Sequence, residues 1–219
     1  MPKIKYKAII FDLDGTLLDT LTDLADSMNI ALEHLGCPGH PRDAYRYFVG
    51  DGMKNLARRV LPPERRDKES IASCMQEMTE VYARRWTQNS KLYAGVPQML
   101  TSLVDRGLTL TIFSNKPDDF TQKCVQHFLN KWPFAEISGA KDNIPKKPAP
   151  DGALTIAHNL GLKPADFLYL GDTNTDMKTA TSAGMHPVGA LWGFRSAEEL
   201  TSAGAKELLT APTDLFKYL

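Results

Sequence analysis

The stretch Ala8-Ile9-Ile10-Phe11-Asp12-Leu13-Asp14-Gly15-Thr16 is an apolar run followed by two carboxylates, a glycine and a hydroxyl. A short, wholly apolar, β-rich run suits a strand buried on both faces, as in a parallel sheet. Side chains two apart on a strand share a face, so Asp12 and Asp14 leave the strand on the same side. Gly15 permits a turn that keeps both near the strand tip. Two carboxylates about 5 Å apart repel by roughly 3 kcal/mol at an effective dielectric near 20. Either one is protonated or a cation sits nearby. Alone, the motif could be a solvated turn, so the rest of the chain decides.

Three further apolar runs follow, at 108–113, 167–170 and 187–191, with a weaker one at 134–137. Helical patterns separate them, at 98–106, 119–129, 152–160 and 176–183, the last ending at Gly184. Strands alternating with helices predict an α/β fold, a doubly wound parallel sheet with helices on both faces. Residues 19–88 break the alternation and carry only helical periodicity. Leu24, Met28, Ala31 and Leu35 recur at helical spacing, with Thr22 as the expected N-cap and Gly36 as the stop. A second helix is expected from Pro41, a third over 53–61, and a long fourth over 64–86 after Pro62-Pro63. The expected organisation is a catalytic α/β core, residues 1–16 and 92–219, with a helical cap over 17–91. Caps over phosphoryl-transfer sites exclude water and supply substrate contacts.

The strand ends carry the chemistry, because ligands in open α/β sheets bind beyond the carboxyl ends of the strands. Ser114 and Asn115 end the second run; a hydroxyl and an amide there can hold phosphoryl oxygens, or simply cap a helix. Lys147 stands before Pro148 in a proline-stiffened loop, with Lys116, Lys141 and Lys146 as competitors for the same role. Gly171-Asp172 follows the third run and Asp176 lies one turn further on. One acidic residue at a helix start needs only the helix dipole to explain it. Two of them beside a second acidic strand tip call for a cation. Mg²⁺ prefers one or two carboxylates, waters and substrate phosphate oxygens. Asp12, Asp172 and a backbone carbonyl suit that preference. A nucleophilic carboxylate, a second carboxylate, a hydroxyl and an amine make up the parts of aspartyl-phosphate chemistry.

The bulk numbers narrow the class. Lys plus Arg and Asp plus Glu are 26 each among 219 residues, so the charge balance gives no reason to expect nucleic acid or an anionic membrane. The three cysteines, Cys37, Cys74 and Cys124, form neither a metal pair nor a disulfide framework, which suits a reducing cytosol. Lys3, Lys5 and Lys7 precede an apolar run too short for a signal peptide, and no stretch is long enough for a membrane helix. A soluble cytoplasmic protein, monomeric or homodimeric, is expected. His34, His40, His127, His158 and His186 show no ligand spacing, and Trp86, Trp132 and Trp192 read as packing residues.

With these four motifs in order, the chain resembles the haloacid dehalogenase superfamily, whose phosphatases carry a helical cap after the first strand of a Rossmann-like core. Within it the likeness is to phosphoglycolate phosphatases, through Asp14-Gly15-Thr16-Leu17-Leu18-Asp19-Thr20, the loop Val49-Gly50-Asp51-Gly52 followed by Leu56, and Tyr93-Ala94-Gly95-Val96. The resemblance implies that Asp12 attacks phosphorus and that Asp14 serves as general acid, then general base. It implies that Ser114 and Lys147 bind the transferring group. Asp12, the carbonyl of Asp14 and Asp172 would hold Mg²⁺, and Asp176 would order Lys147 or a metal-bound water. Thr16, Asn115, Gly50, Gly52 and Lys54 would contact the substrate, with Arg46 and Arg58 near the same loop. The expected partner is a small phosphorylated metabolite, 2-phosphoglycolate first. Sugar phosphates, nucleotides and pyrophosphate remain open. So does a phosphomutase of β-phosphoglucomutase type, which shares this core. A phosphate-sensing or partner-binding domain on a catalytic fold that no longer turns over is the non-enzymatic alternative.

Overall fold

A computed structural model describes residues 6–219; Lys3 and Lys5 lie outside them. The chain divides into two compact units, one taking in the chain up to Leu18 and Leu92–Leu219, the other Asp19–Lys91.

The first unit is built on six strands: β1 (Ala8–Phe11), β2 (Thr109–Pro117), β3 (Phe134–Ala140), β4 (Phe167–Gly171), β5 (His186–Ala190) and β6 (Glu207–Leu209). Their order across the sheet is β3-β2-β1-β4-β5-β6, and every pairing is parallel. The chain therefore winds one way from β1 through β2 to β3, and the other way from β4 to β6. The winding reverses between β1 and β4, and their carboxyl ends flank the crevice where such sheets bind ligands. All four residues of β1 are fully buried, as their unbroken apolar run requires. Ile10, Phe113, Phe167 and Tyr169 pack with Ala153, Ile156 and Ala157 of the helix Asp151–Asn159 and with Ala180 of the helix Asn174–Ser182. Burying each large apolar side chain of this group stabilises the unit by about 1.5–3 kcal/mol.

The structure departs from the sequence-based expectations in particular places. The second run continues as strand to Pro117, with the register against β3 shifting between Phe113 and Pro117. Ser114, Asn115 and Lys116 therefore lie on the strand and not beyond it. The strand at Glu207–Leu209 was not expected; with only three residues and a charged start it has no apolar run to announce it. The helix expected over 119–129 is α-helical only over Asp118–Cys124, then widens to a π-helical turn over Val125–Leu129.

The second unit is helical. Leu21–His34 and Lys68–Arg85 are its long helices and pack on each other. Met28 and Cys74 meet across them, sulfur to sulfur at 3.7 Å. The first helix begins at Leu21 with Thr20 in the cap position, so the expected cap Thr22 lies inside it. The last begins four residues later than expected, because the Asp67 carboxylate caps it by accepting from Glu69 N and Ser70 N. Between them lie a 3₁₀ turn over Arg42–Ala44, a short helix Tyr45–Phe48 and the helix Met53–Val60.

Candidate active site

Asp12 leaves β1 at the switch point, its N–H donating to Leu170 O of β4 at 2.9 Å. The next turn folds back tightly, with Gly15 N donating to Leu18 O and Leu17 N to Leu13 O. Gly15 has φ +91°, and a Cβ there would lie 2.2 Å from an oxygen of Asp172. Only glycine allows the two strand ends to approach this closely. Gly171 serves likewise at the end of β4, where a Cβ would stand 2.3 Å from Asp176 Cβ.

Asp12, Asp172 and Asp176 converge, each offering a carboxylate oxygen within 4.8 Å of the other two, and all three are buried. Asp172 is fixed on both sides. Thr16 Oγ1 donates to its Oδ1 at 2.9 Å, and Phe194 N donates to its Oδ2 at 2.8 Å. Asp176 closes a capping box with Thr173, accepting from Thr173 N and Oγ1 on Oδ2. Its other oxygen accepts from Lys147 Nζ at 2.6 Å. Lys147 is the buried lysine of the group. Its ammonium also donates to Phe113 O at 3.1 Å and lies 2.9 Å from Asp12 Oδ1. That last contact is an ion pair without hydrogen-bond alignment, and Asp12 Oδ1 is buried with no hydrogen-bond partner. The Lys147-Pro148 peptide is cis.

The charges do not balance: three buried carboxylates face one ammonium. Burial and the neighbouring Asp176 push the Asp12 carboxyl up to about 7, against the downward pull of Lys147. Burial, with Asp12 and Asp176 beside it, holds Asp172 well above the usual carboxylate range. For Lys147, burial opposes the charge, but the two carboxylates outweigh it and the ammonium is firmly held. Carboxylates this crowded either take up protons or share a cation. The Asp12 oxygen left without a hydrogen bond, the fixed Asp172 and the glycine-lined approach suit a small divalent metal ion.

Asp14 points to a different partner, Lys116, whose Nζ lies 3.1 Å from both of its oxygens. Ser114 Oγ accepts from Lys116 N at 3.2 Å. Two residues expected to contact substrate also bond within the site. Thr16 is fully buried and turned to Asp172, and its carbonyl accepts from Trp192 Nε1 at 2.9 Å, so Trp192 does more than pack. Asn115 bonds the main chain of Lys147 twice: its Oδ1 accepts from Lys147 N at 2.9 Å and its Nδ2 donates to Lys147 O at 3.1 Å. Each residue thus bonds another member of the cluster. Gly50 (φ +106°), Gly52 (φ +84°) and the exposed Lys54 belong to the helical unit. Lys141 and Lys146 take no part in the acidic cluster; Lys141 faces Asp118 at 3.6 Å.

Sequence reading missed Lys116 as a partner of Asp14. The signal was there: Ser114 and Lys116 are two apart on one strand, the spacing that links Asp12 to Asp14. It missed Phe194 too, whose contribution is a main-chain N–H that no side-chain pattern reports.

A reversing parallel sheet with acidic strand tips and a buried lysine defines a class of hydrolase. Residues 9–190 match the haloacid dehalogenase-like hydrolase family, and the chain belongs to it. Its sequence is 31% identical over 218 residues to the phosphoglycolate phosphatase of Psychrobacter arcticus, covering 96% of this chain and 94% of that protein. It is 30% identical to that of Aquifex aeolicus, covering 97% and 96%. A crystal structure of a candidate phosphoglycolate phosphatase from Lactobacillus delbrueckii superposes with a TM-score of 0.92 at 27% identity, covering 98% of this chain and 99% of that one. The chain is thus a phosphoglycolate phosphatase-like member of the family, a phosphoric monoester hydrolase.

Proposed function

We propose that the protein is a Mg²⁺-dependent phosphatase that cleaves a small phosphomonoester, 2-phosphoglycolate foremost, through an aspartyl-phosphate. The observation that carries the reading is the convergence of Asp12, Asp172 and Asp176 around Lys147 at the sheet's switch point. The names of its relatives support the substrate.

An ionised Asp12 oxygen attacks phosphorus, and the bond from phosphorus to the ester oxygen breaks. Asp14 delivers a proton to that leaving oxygen. It then takes a proton from the water that attacks the aspartyl-phosphate, releasing inorganic phosphate and restoring Asp12. Lys147, held by Asp176 and Phe113 O, keeps a fixed positive charge beside Asp12 and offsets charge on the transferring oxygens. Ser114 binds the same group. Asp12, Asp172 and the Asp14 carbonyl would hold Mg²⁺, with Asp176 close by. The ion supplies positive charge that favours ionised Asp12 and neutralises phosphoryl oxygens.

The proposed division is a catalytic core, residues 1–16 and 92–219, and a cap, 17–91, whose Gly50, Gly52 and Lys54 contact the substrate. No helix among the described residues is long and apolar enough to cross a membrane. The proposed enzyme is cytoplasmic and acts on a small metabolite as a monomer or homodimer.

The test is phosphate release from a panel of phosphomonoesters, with and without Mg²⁺, beside Asp12→Asn. Mg²⁺-dependent turnover that Asp12→Asn abolishes, fastest by kcat/KM on phosphoglycolate, is expected. A higher kcat/KM on sugar phosphates or nucleotides would replace the substrate and keep the chemistry. Turnover that survives Asp12→Asn would remove the mechanism.

A further inference from the structure

The helical unit holds a cavity of about 450 Å³ lined by Tyr47, Phe48, Asn55, Arg58, Arg59 and Arg66. Its walls follow from local sequence. The helix Met53–Val60 buries Leu56, Ala57 and Val60, which turns Asn55, Arg58 and Arg59 outward. Leu61-Pro62-Pro63 then ends the helix and a 3₁₀ turn over Pro63–Arg65 brings Arg66 back beside it.

The three guanidiniums are not equivalent. Arg59 is matched: one nitrogen donates to Phe48 O at 3.0 Å and another pairs with Asp51. Arg66 is anchored by Nε, which donates to Leu61 O at 2.9 Å, and among the described residues no carboxylate pairs with its guanidinium. Arg58 makes no hydrogen bond or ion pair among the described residues. Two guanidiniums without counter-charge therefore share a cavity with a third already neutralised. Beside them stands Tyr47, 58% exposed, the most exposed large apolar side chain among the described residues. Guanidinium forks match phosphate oxygens in pairs, and a tyrosine face accepts a flat ring. The volume is in the range of ligand sites and larger than a two-carbon ester needs.

We infer that this cavity is a second ligand site, taking a nucleoside polyphosphate with its phosphates on Arg58 and Arg66 and its base on Tyr47. It is formed wholly by residues of the helical unit and does not depend on the phosphatase reading.

Calorimetric titration of ATP and of tripolyphosphate tests it, in EDTA and on full-length Asp12→Asn protein so that neither metal nor turnover intervenes. Both anions are expected to bind, and Arg58→Ala/Arg66→Ala in that background should weaken both at least tenfold. Tyr47→Ala should weaken ATP severalfold and leave tripolyphosphate unchanged. These side chains are exposed, and matching circular dichroism will confirm that the variants fold. No binding of either anion at millimolar concentration would overturn the site, as would equal affinity after the double arginine substitution. Loss with the arginines but no discrimination by Tyr47→Ala would overturn the nucleotide assignment.

Discussion

Lys116 Nζ stands 3.1 Å from each carboxylate oxygen of Asp14, bridging the loop after β1 to the end of β2. The lysine side chain is 4% exposed and that of Asp14 18%, so the pair is shielded without being sealed from solvent. The interaction fixes the carboxylate proposed to move protons in both chemical steps. General acid–base catalysis contributes about 10²–10⁴-fold, and a misplaced group forfeits part of that. Lys116→Ala is expected to lower kcat about 10- to 100-fold, with Lys116→Arg recovering part of it. Steady-state phosphate release at saturating substrate decides the matter; a kcat within twofold of wild type would free Asp14 from this partner.

Asp12 sets activity against stability. Its carboxyl is pushed up to about 7 from an ordinary 3.8. The folded protein therefore holds this proton more tightly than the unfolded chain does. Stability falls as pH rises from about 4 to 7, and the cost of ionising Asp12 is fully present above that. A shift of that size corresponds to about 4 kcal/mol at most. Asp12→Asn removes both the nucleophile and the buried charge. Turnover should fall by about 10⁴-fold or more. In EDTA at pH 8 the variant's Tm should match or exceed that of wild type, and a clearly lower Tm would contradict this reading of the cluster.

The same proton competes with the metal. Below pH 7 a cation binding Asp12 must displace it, because ligands bind metal in their deprotonated form. With the carboxyl at about 7, Mg²⁺ should bind about tenfold more weakly at pH 6 than at pH 8. Calorimetric titration at the two pH values measures this directly. Equal affinities would mean that Asp12 is not a ligand.

How far the site could be read from sequence depended on whether side chains or main chain did the work. Asp12, Lys147, Asp172 and Asp176 were legible because strand ends concentrate ligand chemistry and their residue types are costly to bury without purpose. Thr16 and Asn115 were legible as polar groups near the strand ends but not in the bonds they make there. A hydroxyl or an amide bonds substrate, carboxylate or main chain equally well, and only the fold shows that Thr16 faces Asp172 and Asn115 holds the Lys147 main chain. Strands with unbroken apolar runs, such as β1 and β4, announced themselves. The three-residue β6 did not, since an edge strand half exposed to solvent needs no such run. The start of Lys68–Arg85 was misplaced because Glu64 and Asp67 both suit a helix start, and the choice fell to the side chain that reaches two N–H groups.

Lys147 makes the cluster tolerable, and its removal should be felt in the fold as well as in the reaction. It neutralises part of the charge of Asp12 and Asp176, both of which are buried. Removing one member of a buried ion pair costs about 3–5 kcal/mol, because the other charge stays behind unpaired. Lys147→Ala is expected to lose that much in urea unfolding at pH 8 in EDTA. Part should return as the pH falls to 5.5 and the carboxylates take up protons. A loss that is the same at both pH values would assign the effect to packing rather than charge.

Asp23 performs a purely structural task of the same kind in the helical unit. It lies in the first turn of Leu21–His34 and is almost completely buried. Its oxygens accept from Asn89 N at 2.9 and 3.0 Å, Asn89 Nδ2 at 2.9 Å, Ser90 N at 2.8 Å and Ser90 Oγ at 2.7 Å. Burial favours the neutral acid, but the bonds from Ser90 and Asn89 outweigh it and hold the carboxyl below its ordinary 3.8. The sign is thus opposite to that of Asp12. The stabilisation is fully present above about pH 4 and is lost as the pH falls through the lowered value. In Asp23→Asn the amide nitrogen cannot accept, which strands donors that the second carboxylate oxygen satisfied. A buried donor without a partner costs about 1–3 kcal/mol, so a loss of roughly 2–3 kcal/mol is expected at pH 7. The gap from wild type should narrow by pH 3, where wild type begins to protonate Asp23 in turn. Urea midpoints at the two pH values test both statements, and a gap that stayed constant would show that shape, not charge, holds Asn89 and Ser90 to this helix.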